Sequence, residues 1–305
     1  MAFSATDAAF EGFRLVRRTP LTLLIWALLY VGFGVALFAL VGGSLFSMVD
    51  MAATLENNPN PAPEDLMPFM GAYFSLLGMM LPLALVFGAV MYGAVNRAVL
   101  RPHEKGFGYV RLGMDEVRIF VVTLVLTILA AIAAFVVMMI FGVIAGVAGV
   151  AMGDSAGLVA IVLGIACVVL FVWVALRFSL AVPITFAERR IAIFDSWGLT
   201  KGHTLGLLGM GVIAVVMAFV VQILAYVVAM PLIFMVGGFA QLAQIETMDF
   251  AQIMQTMAPV LIIYAVLASL LYALQLGIIY APFAVAYRDI RGGADPVGVE
   301  PTPSM

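Results

Sequence analysis

The sequence predicts an all-α integral membrane protein with six transmembrane helices, and three observations support this fold class. Hydrophobic residues make up 65% of the 305 residues and charged residues only 10%, whereas soluble domains contain about 45–50% apolar and about 25% charged residues. Six apolar runs each exceed the roughly 20 residues that cross the hydrocarbon of a bilayer. All 14 lysines and arginines fall on one side of these runs.

The apolar runs define the predicted spans. The first is about twice as long as the roughly 7–15-residue apolar core of a signal peptide, which favours a retained helix over a cleaved leader. Internal glycines and prolines are compatible with spans, because neighbouring helices satisfy the backbone groups that they free. The six runs cover residues 21–48, 67–95, 119–150, 158–183, 205–236 and 259–287.

The distribution of charge predicts the orientation. The segments 49–66, 151–157 and 237–258 contain seven acidic residues and no lysine or arginine, so their net charge is 0 − 7 = −7. The opposite side holds all 14 basic residues and the other ten acidic residues, a net charge of 14 − 10 = +4. Since basic loops stay in the cytoplasm, we expect both termini there, in a multi-pass protein of the bacterial cytoplasmic (inner) membrane.

Three segments on the basic side match one another without gaps. Each begins with Phe, has Leu five residues later and precedes an odd-numbered span: FEGFRLVRRTPL (10–21), FGYVRLGMDEVR (107–118) and FDSWGLTKGHTL (194–205). They predict three tandem hairpin repeats, at about 4–101, 103–190 and 191–291, each preceded by a short cytoplasmic interfacial helix. Repeats of this kind are related by an axis along the membrane normal. Residues 1–291 then form one membrane domain, and 292–305 a disordered cytoplasmic tail.

The first predicted interfacial helix has an apolar face. Phe10, Phe13 and Val16 share one side at helical spacing, which suits a helix lying in the headgroup plane. Ser4 and Asp7 form a capping box at its start. Two roles are compatible with such helices: an elbow that fixes the angle of the next span, or a surface that docks a partner or senses lipid.

Arg177 is the one charged residue near the end of an apolar run. Counted from Leu158 it is residue 20 of its run, which at about 1.5 Å per residue places it near the cytoplasmic edge of the hydrocarbon. Its side chain can snorkel to the headgroups, pair with Glu188 or Asp195 and so lock span four to the next elbow, or bind an anionic headgroup or substrate. The candidate structural or headgroup-contact residues are Arg177, Glu188, Asp195, Trp197 and Lys201.

The stretch LRFSLAVPITFAERRIAIFDSWGLTKGH, residues 176–203, resembles a bacterial group of multispanning membrane domains. This group includes the membrane domain of certain glycerophosphoryl diester phosphodiesterases and the YciC-like proteins. In it, a span that ends R…P…E precedes a segment of the type SW.LT.G, as in Ser196, Trp197, Leu199, Thr200 and Gly202. The resemblance implies a six-span body without an assigned reaction. It does not carry the phosphodiesterase activity, which would need a separate soluble domain.

Residues that would carry chemistry are scarce. The chain has two histidines, one cysteine and neither the HExxH nor the Walker-type pattern. Carboxylates, lysine and histidine are missing from the apolar cores, which argues against a proton relay. Gln222, Gln275, Thr123 and Thr127 remain at depth, where we expect hydrogen bonds between helices. We therefore predict no catalytic residue, no cofactor and no metal site.

Three function classes follow, in decreasing order of support. The first is a non-catalytic inner-membrane protein, working as a scaffold or as a lipid- or envelope-related accessory factor. The second is a transporter or lipid-translocating protein with a site between repeats. The third is an intramembrane enzyme. The expected partners are membrane lipids, with a membrane-protein partner or a second copy of the chain as further alternatives, and no nucleic acid.

Overall fold

A computed structural model describes residues 4–56, 62–153, 156–235 and 250–292. Within these ranges the chain forms helices and turns, with no strand. Ten α-helices follow one another: α1 Ala5–Ala9, α2 Glu11–Arg18, α3 Pro20–Glu56, α4 Pro63–Leu100, α5 Met114–Met152, α6 Ala156–Phe178, α7 Ala181–Glu188, α8 Asp195–Leu199, α9 Thr204–Met235 and α10 Phe250–Gly292. The predicted tail lies outside the described residues, except that Gly292 closes α10.

Six of these helices are long and apolar enough to cross a membrane, as the sequence predicted. They are α3, α4, α5, α6, α9 and α10, and every apolar run except the fourth lies within a single one of these helices, to within one residue. The fourth run departs from the prediction, because the helix breaks at Ser179 and Leu180 before α7 begins. Pro183 lacks the N–H that would bond to the carbonyl of Ser179 in a continuous helix, which explains the break.

The basic residues lie at one end of the molecule, which we call the basic end. Three short segments lie there, one before each pair of long helices. We call them the first, second and third elbows, residues 4–19, 102–113 and 189–203. Hairpin 1 consists of α3 and α4, hairpin 2 of α5, α6 and α7, and hairpin 3 of α9 and α10.

The first elbow contains two helices, α1 and α2, in place of the single predicted one. Ser4 caps α1 as predicted, since its Oγ accepts the N–H of Asp7 at 3.4 Å. Ala8, Gly12 and Leu15 are buried against the protein, whereas Phe10, from the predicted apolar face, is 43% exposed. Because Ala8 and Gly12 are small, the first elbow can lie close to α10.

The second elbow is also not the expected helix. It has only a single 3-10 turn, Phe107–Tyr109. Gly108 and Tyr109 have φ angles of +60° and +63°, outside the right-handed helical region, so an α-helix cannot continue through them. In the third elbow the helix α8 has five residues.

Each elbow packs mainly on the preceding hairpin, if hairpin 3 is taken to precede the first elbow. The second elbow packs on α3 and α4, and the third on α6 and α7. The first elbow, which has no hairpin before it in the chain, packs on α9 and α10 of hairpin 3. Hairpins 1 and 3 share an extensive interface, hairpins 1 and 2 meet through α4 and α5, and hairpins 2 and 3 make few contacts between α6 and α9.

The main buried core lies towards the basic end, where the elbows meet the helices. Away from that end α5 and α6 expose apolar side chains along their length, so this surface suits hydrocarbon and not water. The largest fully buried apolar side chains are those of Trp26, Phe186, Met91, Ile119, Leu180, Ile184, Leu207, Met210 and Ile278.

Candidate functional site

The third elbow closes the break between α6 and α7. The Ser196 hydroxyl donates to the carbonyl of Arg177 at 2.7 Å and accepts the N–H of Leu180 at 3.2 Å. Ser196 and Thr200 are fully buried. Two backbone groups that the broken helix leaves without partners are satisfied in this way, so the SW.LT.G segment has a structural role at this point.

Arg177 lies in the last turn of α6, between two tryptophans. Its Cζ is 5.4 Å from the ring centroid of Trp173 and 5.5 Å from that of Trp197, and the two indole rings are perpendicular with centroids 5.2 Å apart. Its Nε and Nη1 are enclosed and have no hydrogen-bond partner among the described residues. Attraction between the guanidinium and the ring faces holds the side chain in place.

The predicted ion pair of Arg177 with Glu188 or Asp195 is not formed. Both carboxylates bind Arg190 instead, at 2.6 Å and 2.5 Å, and Glu188 also lies 3.6 Å from Arg291 at the end of α10. The hydrogen bond to Glu188 raises the pKa of Arg190 above its ordinary value, and the hydrogen bond to Asp195 raises it further by a smaller amount. This cluster links hairpin 2, the third elbow and hairpin 3 at an exposed surface.

Two of the five predicted site residues, Arg177 and Trp197, are therefore in contact. Glu188 and Asp195 form a separate ion-pair cluster with Arg190. Lys201 is exposed in the turn that follows α8.

A second charged cluster was not predicted, because the second apolar run ends at residue 95, before Arg97 and Arg101. The structure places Arg97 inside α4, 2% exposed, with its Nη2 2.5 Å from Oε1 of Glu116 on α5 and its Nη1 donating to the carbonyl of Tyr109. Arg101 bonds to Asp115 at 3.1 Å and to the carbonyl of Phe186. The signal in the sequence was the apolar stretch Ala98, Val99 and Leu100 after Arg97, which indicates that the helix continues past residue 95.

A crevice of about 520 Å³ lies between α3 and α10, which belong to hairpins 1 and 3. Its walls are apolar, with Gly34, Val35 and Phe38 on α3 and Leu261, Ala265 and Ala268 among the residues on α10. Ligand sites in proteins occupy about 300–1,000 Å³ and are lined mainly by apolar side chains. The crevice has the size and the lining of such a site.

A smaller pocket of about 270 Å³ adjoins the crevice, and Tyr30 and Tyr272 line both. The smaller pocket is more polar. The hydroxyls of Tyr92 and Tyr280 are 2.8 Å apart in it, and Gln275 lines it while bonding to Gln222 of α9 at 2.7 Å. The two pockets together offer an apolar compartment next to a group of hydroxyl and amide groups.

No family model, no curated protein and no solved structure matches this chain. Among the described residues, no three histidine, cysteine or carboxylate side chains are grouped as they would be around a metal ion.

Proposed function

We propose that this chain is a non-catalytic integral membrane protein that binds a membrane lipid and acts as a lipid-related accessory factor of the bacterial inner membrane. The observation that carries this proposal is the crevice between α3 and α10. Its apolar lining fits an acyl chain. The adjoining tyrosine and glutamine groups can donate hydrogen bonds to the ester or hydroxyl oxygens at the head of that chain.

The depth of the crevice supports a lipid as the occupant. Tyr30 is ten residues after Pro20, which is about 15 Å along α3, so the crevice begins inside the hydrocarbon layer if the basic end lies at the membrane surface. Phe38 at the other end of the α3 wall is about 12 Å further along the helix. A ligand that enters from the bilayer needs no passage through water to reach this site.

The topology supports the orientation and the repeats that belong to this proposal. The basic end faces the cytoplasm by the positive-inside rule. The docking of each elbow on a hairpin in cyclic order is what three related units around one axis would give. The crevice then lies at the junction of the last repeat with the first.

A pair of glycine variants tests the crevice. A Cβ at Gly34 or at Gly32 would meet no atom within 4 Å, and only Gly34 lines the crevice. We expect Gly34→Phe to fill it and to remove the lipid that the wild-type protein retains in native mass spectrometry after extraction in a mild detergent. Gly32→Phe adds the same ring to an exposed position of the same helix and should retain the lipid. Equal retention in both variants would contradict the proposal.

Lipid translocation is the second candidate, and the position of the polar pocket next to the apolar crevice, with Tyr30 and Tyr272 lining both, favours it. Such a path would let a headgroup cross part of the bilayer beside Tyr92 and Gln275 while its chain stays in the crevice. The same two variants separate the candidates. A protein that only binds lipid will not accelerate exchange of a fluorescent lipid between the leaflets of vesicles, whereas a translocator will do so in the wild type and in Gly32→Phe but not in Gly34→Phe.

A further inference from the structure

Arg177 lacks a negatively charged partner. The carboxylates that its sequence position suggested belong to Arg190, and among the described residues no carboxylate oxygen lies within 4.0 Å of the Arg177 guanidinium. The Nε and Nη1 atoms of this guanidinium are buried without a hydrogen-bond partner, and a buried charged donor without a partner is costly. Its neighbours therefore explain only how the side chain is held, and not what balances its charge.

The two tryptophans leave one part of the guanidinium accessible. The guanidinium lies over the rings of Trp173 and Trp197, and its Nε and Nη1 are buried, whereas Nη2 is not among the buried atoms that lack a partner. The Nη2 atom carries two N–H groups, and a guanidinium binds phosphate oxygens strongly through such donors. Tryptophan rings are enriched at the level of the lipid headgroups.

We propose that Arg177, with Trp173 and Trp197, forms a binding site for the phosphate group of an anionic membrane lipid. The Trp rings fix the guanidinium, and Nη2 donates to the phosphate oxygens. This site rests on the proposed lipid binding for the class of its ligand, but it uses different residues from the crevice. It sets the preference for the headgroup, while the crevice sets the retention of an acyl chain.

The test compares the headgroup preference of full-length variants in nanodiscs that contain phosphatidylglycerol and phosphatidylcholine. We expect the wild-type protein to retain phosphatidylglycerol preferentially in native mass spectrometry and Arg177→Gln to reduce this preference roughly tenfold, the effect of about 1.4 kcal/mol. Arg288→Gln is the matched control, because it removes an exposed arginine at the basic end whose partner is the adjacent Asp289. Equal preference in Arg177→Gln and Arg288→Gln would overturn the proposal.

Two further arms complete the experiment. Arg177→Lys keeps the charge but loses the planar fork and its stacking, so it should lower the preference even if Arg177→Gln does not fold; an unchanged preference in a folded Arg177→Lys would count against the site. Displacement of phosphatidylglycerol by inorganic phosphate, absent in Arg177→Gln, would identify a soluble phosphate as the ligand of the same group. Gly34→Phe should lose retained lipid without losing the preference, which separates this proposal from the crevice.

Discussion

The ion pair between Arg97 and Glu116 joins α4 to α5 where both side chains are excluded from water. Gly93 makes room for it, since a Cβ at that position would lie 2.8 Å from Oε1 of Glu116. Removal of one partner of a buried ion pair leaves an uncompensated charge and typically costs about 3–5 kcal/mol. When both partners are replaced by apolar residues, no uncompensated charge is left in the buried site, so this penalty disappears.

A double-mutant cycle tests this at the residue scale. We predict that Glu116→Leu and Arg97→Met each lower the free energy of unfolding by about 3–5 kcal/mol, and that the double variant is destabilised by clearly less than their sum. Denaturation by SDS in mixed micelles provides the measurement. Strict additivity of the two single effects would show that the pair does not act as a unit.

Sequence reasoning had mixed success with single residues. The bond between Gln275 and Gln222 confirms the expectation that polar residues at depth connect helices. The hydroxyls of Thr123 and Thr127 donate instead to backbone carbonyls one turn earlier in their own helix. This is a common bond for a threonine inside a helix. The Arg97–Glu116 pair was missed because the second apolar run ends before Arg97, and only packing of α4 on α5 shows that both residues are buried.

The three elbows pack on the hairpins, and the residue that docks each elbow occupies the same aligned position but differs in identity. The conserved first Phe is exposed in all three, at Phe10, Phe107 and Phe194. The third aligned residue, which differs each time, is buried in each: Gly12, Tyr109 and Ser196. Each makes a different contact with its hairpin, so identity in the alignment could not reveal the docking position.

Docking of the first elbow can be tested with two glycines that face each other. A Cβ at Gly12 would lie 2.5 Å from the carbonyl oxygen of Gly277 and 2.5 Å from Cα of Ile278, whereas a Cβ at Gly277 would have no neighbour closer than 3.7 Å. In a helix interior Gly→Ala by itself gains about 1 kcal/mol. We predict that Gly12→Ala nevertheless lowers the free energy of unfolding in detergent by about 1–3 kcal/mol, and that Gly277→Ala leaves it unchanged or raises it. Equal effects of the two would argue against this docking.

At the scale of the whole molecule, the sequence was sufficient for the six membrane-crossing helices because apolar length alone determines them. It was not sufficient for their arrangement. The crevice depends on the meeting of α3 with α10, and the parts of these helices that line it are more than 200 residues apart in the chain. The packing of the first elbow on hairpin 3 has the same origin, since no local pattern records which hairpin an elbow contacts.

Cyclic order predicts that the chain tolerates permutation. A variant that begins at Arg189, continues through residue 305 and then through residues 1–188 keeps all three elbows whole and uses residues 293–305 as the linker. Both new termini lie at the basic end. We expect it to fold with a thermal stability close to that of the wild type. A permutant that begins at Phe13 is the control, since it separates α1 from α2 and divides the first elbow.

The most direct test of the central claim is a cryo-EM map of the protein in lipid nanodiscs. The account predicts an elongated density between α3 and α10 that runs past Gly34 and Phe38 and ends beside Tyr30 and Tyr272. A map in which α3 and α10 close on each other, with Phe38 packed directly against Leu261 and no density between the helices, would contradict it.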